Sequence, residues 1–222
     1  GRRAVVVGGS TLYVRALTRG LFPGPPAHPR LRARLARLSP EELRGRLQEV
    51  DPQAAARIHP HDRVRLIRAL EVYLLTGKPM SAHWGREEGF PWPLVKVGLT
   101  LPRAELHRRI RARVEAMFAA GLVEEARRLW QAGLPPQAPA AHTIGYQELF
   151  SYFRGEISLE EAKERIVRNT KAYARRQLAF FRAEAGVTWL KVGGLSPEEV
   201  GKKVLEVWAK SDPTVAQEDV PW

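Results

Sequence analysis

The chain has 222 residues and a net charge of +12, carried by 28 Arg and 8 Lys against 24 acids. Without cysteine it forms no disulfide, thiolate nucleophile or zinc finger, and no apolar run reaches the roughly 18 residues of a membrane span. The arginine-rich balance favours a polyanionic partner, nucleic acid ahead of a membrane surface, because the planar guanidinium fork meets phosphates and base edges in pairs of bonds.

Taken in order, Ala4-Val-Val-Val7 predicts a short buried strand of the parallel type. Gly8-Gly9-Ser10-Thr11 and a helical pattern from Leu12 to Leu17 follow at once. Such a strand-to-helix turn either lets an anionic ligand approach the backbone or is an ordinary tight turn. It is not a Walker A loop, since G-x-x-x-x-G-K-[ST] occurs nowhere in these residues. Phe22-Pro-Gly-Pro-Pro26 marks a boundary. Beyond it Arg30, Arg32, Arg34 and Arg37 share one short helical stretch. Ser39-Pro-Glu-Glu42, Asp51-Pro52 and Asp62 read as three successive helix starts. The third helix, Arg63 to Leu75, carries an apolar stripe of Leu66, Leu70 and Tyr73 and stops at Thr76-Gly-Lys-Pro79. His59 and His61 lack the carboxylate company a metal site needs.

A loop rich in Trp, Gly and Pro over 82–93 leads to a second strand, Leu94 to Leu101. Pro102 to Phe118 predicts a helix with Leu106, Ile110, Val114 and Met117 inward; Gly121 breaks it and Val123 to Trp130 resumes it. After a Pro-rich link and His142-Thr-Ile-Gly-Tyr-Gln-Glu-Leu149 comes a long basic helix reaching Arg182. Leu159, Ala162, Ile166, Thr170, Tyr173, Gln177 and Phe180 line one of its faces, and Arg168, Lys171, Arg175 and Arg182 line the other. The cationic row is either a phosphate-binding surface or a solvated face. Gln177, an amide on the apolar face, requires a partner. Val187 to Val192 predicts a last strand, Ser196-Pro-Glu-Glu199 a capping box, and residues 211–222 a loose tail.

These stretches, over residues 3 to 192, resemble the bacterial tRNA dimethylallyltransferases, or tRNA isopentenyltransferases. Gly8 to Tyr13 is similar to the family's GGTxLY turn, and Asp62 to Glu71 with Thr76-Gly77-Lys78 to its DxxRxxRALE…TGK segment. Ile144-Gly145-Tyr146 matches IGY, and Thr170 to Arg182 resembles TRQYAKRQxTWxR. The resemblance implies transfer of a dimethylallyl group from dimethylallyl diphosphate to N6 of the adenosine beside the tRNA anticodon. It implies a catalytic place for Ser10 and tRNA contact at Arg32, Arg65, Arg68, Gly145, Tyr146, Arg175, Arg176, Gln177 and Arg182. Tyr146 would stack a base, the arginines would track phosphates, and Gln177 would read a base edge. Magnesium, nucleotide (ATP-type) binding, a monomeric state and a cytoplasmic setting are implied with it.

The sequence departs from the pattern at Ser10, Gln147, Lys171, Ala179 and Phe180, and the family's P-loop and DSxQ motif do not occur among the 222 residues. The expectation is therefore an α/β chain with an incomplete P-loop-NTPase-like parallel sheet, carrying mainly the tRNA-binding part of the enzyme. Residues 1–24 and 93–210 form its core and 25–92 a helical, tRNA-binding insertion. The rival expectation is an RNA-binding module without catalysis.

Overall fold

The computed structural model describes residues 4–22, 24–84, 93–136 and 138–211. Most of the predicted loop at 82–93 and the predicted tail beyond Ser211 lie outside the described residues. The chain divides into two compact units, residues 12–94 and residues 1–11 with 95–222. The division falls earlier than residue 24 because the punctuated segment belongs with the helices that follow it. Phe22 stacks on His83 with ring centroids 4.8 Å apart, and Arg68 Nη2 donates to the Pro25 carbonyl at 2.9 Å.

The helical unit contains most of α1 (Thr11–Arg19), then α2 (Pro29–Leu35), α3 (Pro40–Val50), α4 (Pro52–Arg57) and α5 (Arg63–Thr76). Its caps are local and follow the sequence. The Glu42 N–H donates to Ser39 Oγ, while the Ser39 N–H donates to Glu42 Oε2 at 2.7 Å. Asp51 is buried and joins two elements: Oδ1 accepts the Ala54 N–H at 3.0 Å, and Oδ2 accepts the Ser81 N–H at 2.8 Å. Asp62 Oδ1 caps α5 through the Arg65 N–H, and Gly77, at φ +70°, ends it. Leu35, Leu43, Leu47, Ala54, Ala55, Leu66, Ala69 and Leu70 form the core between these helices.

In the other unit β1 (Lys96–Thr100) and β2 (Val187–Lys191) pair in parallel, Lys96 opposite Val187 and Gly98 opposite Trp189. A Cβ at Gly98 would stand 2.8 Å from the Trp189 ring, so only glycine admits the indole there. Between the strands run α6 (Arg103–Ala119), α7 (Leu122–Gln131), α8 (Tyr146–Phe153) and α9 (Leu159–Arg182); α10 (Pro197–Ser211) follows β2. Ile110, Val114, Ala126, Leu149, Phe150, Ala162 and Ile166 make the core of this bundle. The fold class is thus α/β and mostly helical, with its small sheet parallel as expected.

Two expectations need correction. Ala4–Val7 forms no strand, and Val5, Val6 and Val7 are 67, 69 and 92 % exposed. β-branched residues favour extended backbone, but a strand exists only through a ladder, and among the described residues β1 and β2 pair with each other alone. The apolar face of α9 is buried only at Ala162 and Ile166, with Val167 beside them. Thr170, Gln177 and Phe180 are half-buried and Tyr173 is exposed. No helix of the described residues is long and apolar enough to cross a membrane.

Candidate nucleic-acid interface

The expected contact residues fall into two sets, one in each unit. In the helical unit Arg32 and Arg68 converge on Glu71, whose side chain is fully buried. Arg32 donates Nε to Oε1 and Nη2 to Oε2, both at 2.8 Å, a bidentate fork. Arg68 Nη1 adds a 2.6 Å bond to Oε2, and the His28 N–H a 2.8 Å bond to Oε1. The Arg32 bond first, with His28 and Arg68 behind it, outweighs burial and holds the Glu71 carboxyl at a pKa of about 2. These two arginines therefore organise α2 and α5 before they meet any ligand. Arg32 remains 45 % exposed, so its outer edge can still reach an anion. Arg65 is more open, 74 % exposed, with Asp62 Oδ2 3.4 Å away.

In the other unit Ser10 is half-buried and immediately precedes α1. Gly145, at φ +111°, turns the chain into α8. Its N–H donates to Glu148 Oε2 at 2.7 Å, and Glu148 Oε1 accepts from Gln147 Nε2 and Asn169 Nδ2 at 2.8 and 2.7 Å. This buried carboxylate fixes the Gly145-Tyr146 turn against α9. Sequence reasoning passed over it, although an acid three residues after Gly145 is a capping-box signal. Tyr146 stacks on Phe150 and donates its hydroxyl to Glu125 Oε1. That hydrogen bond, then burial, raises the phenol's pKa and keeps it neutral. The ring is half-buried, with part of its surface open to a stacking partner.

On α9 Arg168, Arg175, Arg176 and Arg182 are exposed. Lys163 and Arg165 are ion-paired with Glu115 and Glu161. Arg168, Arg175 and Arg182 form no ion pair among the described residues, and Arg176 lies over the Tyr173 ring at 5.8 Å. Gln177, expected to read a base, donates Nε2 to the Gly9 carbonyl at 2.6 Å. Its place on the apolar face is thereby explained within the fold.

Asp51 and Asp62 cap helices, Glu71 is held by two arginines, and among the described residues no group of three or more His, Asp or Glu is placed to hold a metal. What these residues offer is guanidinium, amide and aromatic donors.

Residues 1–184 match the family model described as IPP transferase. The chain belongs to the IPP transferase family. It is 46% identical over 198 residues to the tRNA dimethylallyltransferase of Geobacter sulfurreducens, covering 86% of this chain and 63% of that protein. It is 48% identical over 197 residues to that of Thermomicrobium roseum, covering 86% and 60%. The chain thus spans less than two thirds of these relatives' length. Among solved structures, the tRNA isopentenylpyrophosphate transferase of Bacillus halodurans superposes with a TM-score of 0.60 at 33% identity, over 93% of this chain and 65% of that one. A eukaryotic dimethylallyltransferase acting on tRNA reaches a TM-score of 0.66 at 21% identity, over 97% and 57%, a likeness of fold alone.

Proposed function

We propose that this IPP transferase family chain is the tRNA-binding portion of a tRNA dimethylallyltransferase acting in the cytoplasm. The reaction attaches a dimethylallyl group from dimethylallyl diphosphate to N6 of the adenosine beside the anticodon. Family membership supports this class of reaction. The observation that carries the tRNA-binding role is the row of exposed Arg168, Arg175 and Arg182, without an ion pair among the described residues, on the helix bearing the family's longest motif. Such cations release counterions from an RNA backbone and set its register without reading sequence.

In the transfer the allylic C–O bond breaks, diphosphate departs, and N6 forms the new C–N bond and loses a proton. The chain's part is to hold and orient the loop. Tyr146 supplies a stacking face for an extruded base, and the Ser10 hydroxyl stands at the turn before α1, within the first family motif. Arg32, Arg65 and Arg68 add positive charge from the helical unit. A magnesium ion would supply charge neutralisation for the diphosphate; among the described residues no group of three or more His, Asp or Glu would hold it.

The test is affinity for an anticodon stem-loop at several salt concentrations. A slope of log affinity against log salt of about 0.7 to 0.9 per phosphate contact is expected. A flat line overturns the reading. Binding that ignores the target adenosine, together with no transfer when a P-loop segment is joined to the chain, would favour the RNA-binding module without catalysis.

A further inference from the structure

Along the seam between α6 and α9 charges are paired in turn: Glu115 with Lys163 at 2.6 Å, then Arg111 with Glu164 at 2.7 Å. One turn back along α6 and two turns on along α9 the pattern breaks. His107 and Lys171 line one open groove of about 510 Å³ together with Arg108, Arg111, Ala112 and Glu115. Glu115 in its lining is ion-paired with Lys163, and Arg111 with Glu164. Partial burial, then the charges of Lys171 and Arg103, holds the His107 imidazole below its ordinary pKa. With Arg108, Arg111 and Lys171 against Glu115, the lining carries more positive than negative charge, which favours an anion.

The groove also runs into the cationic row of α9. Glu164, Arg168, Lys171 and Arg175 succeed one another at helical spacing on one face, so the row begins at the Arg111 pair and passes Lys171. The groove is open and brings Arg108, Arg111 and Lys171 together, which suits a chain of phosphates rather than a single enclosed ion. We infer that the groove lined by His107, Arg108 and Lys171 is a second phosphate-binding track, taking the RNA backbone next to the segment held by Arg168 and Arg175. None of the family-motif contact residues lies on α6.

This track rests on the proposed tRNA-binding role, and the experiment separates the two. Stem-loop affinity is measured against salt for the full chain, for Arg108→Ala/Lys171→Ala, and for Lys202→Ala/Lys203→Ala, which removes the same charge from exposed positions on α10. The groove variant is expected to lower the slope by roughly 1.5, two contacts' worth, while the α10 variant keeps it. His107 ring signals, assigned by their loss in His107→Gln, are expected to titrate at higher pH when the stem-loop is bound. If the unaltered chain binds no stem-loop, the parent reading falls and takes the track with it. If it binds and the two double variants behave alike, or the His107 titration does not move, the track alone is overturned. Inorganic phosphate is the remaining arm: a His107 response to millimolar phosphate, with no change of RNA slope in the groove variant, also overturns an RNA track and leaves a small-anion site.

Discussion

Gln177 Nε2 donates to the Gly9 carbonyl at 2.6 Å, tying α9 to a segment 168 residues earlier in the chain. The contact depends on glycine: a Cβ at position 9 would lie 2.5 Å from the amide nitrogen. The obstacle is the end of a flexible side chain, so Gly9→Ala is expected to push the amide aside and lose the bond rather than break the backbone. Urea denaturation should show a loss of about 1 kcal/mol, and a similar loss for Gln177→Ala. The double variant should lose no more than either single one. Full additivity would show that the two residues are not coupled.

That bond illustrates what the sequence could and could not disclose. Caps at Ser39, Asp51, Asp62 and Ser196 were legible because donor and acceptor lie within three residues of each other. The oddity of Gln177 was legible too, as an amide on an apolar face, but its partner was not, since nothing local points to Gly9. Arg32 and Arg68 read as phosphate contacts because the motif contains Glu71 but does not disclose that it is buried and accepts both arginines. Ala4–Val7 failed for the opposite reason: its propensity is local, and the ladder that makes a strand is not. The His107–Lys171 groove was hidden because it arises only when α6 and α9 pack.

Glu71 makes stability depend on acid. Its carboxyl lies near 4.5 ordinarily and at about 2 in the fold. A depressed pKa contributes stability that is present in full above the ordinary value and is lost as pH falls from about 4.5 towards 2. The contribution is at most about 3 kcal/mol, since Arg32 is partly open to solvent screening. Glu71→Gln should be less stable at pH 7 and show a flatter acid limb in denaturant titrations. An unchanged limb would mean the carboxylate is not held as the geometry requires.

Tyr146 separates stacking from hydrogen bonding. Tyr146→Phe loses the bond to Glu125 but keeps the ring against Phe150, and stem-loop affinity is expected to stay within about twofold of the original. Tyr146→Ala removes the platform and should cost on the order of 1–3 kcal/mol of binding. That loss should be largest for loops that contain the target adenosine. Equal effects of Phe and Ala would assign the role to the hydroxyl instead.

Prenyl transfer itself sets the last expectation. Incubated with tRNA, Mg²⁺ and dimethylallyl diphosphate, the 222-residue chain is expected to yield no prenylated adenosine after digestion to nucleosides. An allylic diphosphate needs a cradle of backbone amides, a lysine and a metal-holding hydroxyl, which a P-loop provides. Gly8-Gly9-Ser10 has amides and a hydroxyl but no adjacent lysine, and the Gly9 carbonyl is engaged by Gln177. The N6 proton needs a carboxylate base within reach. Asp51 and Asp62 are bound to helix-start amides, and Glu71, held at a pKa of about 2, is too weak a base. Joining a relative's P-loop and DSxQ segment ahead of Arg3 should supply both and switch transfer on. Prenylated adenosine from the chain alone would reveal a diphosphate site in these residues. Silence from the joined protein, with stem-loop binding intact, would overturn the proposed activity and leave the RNA-binding role standing.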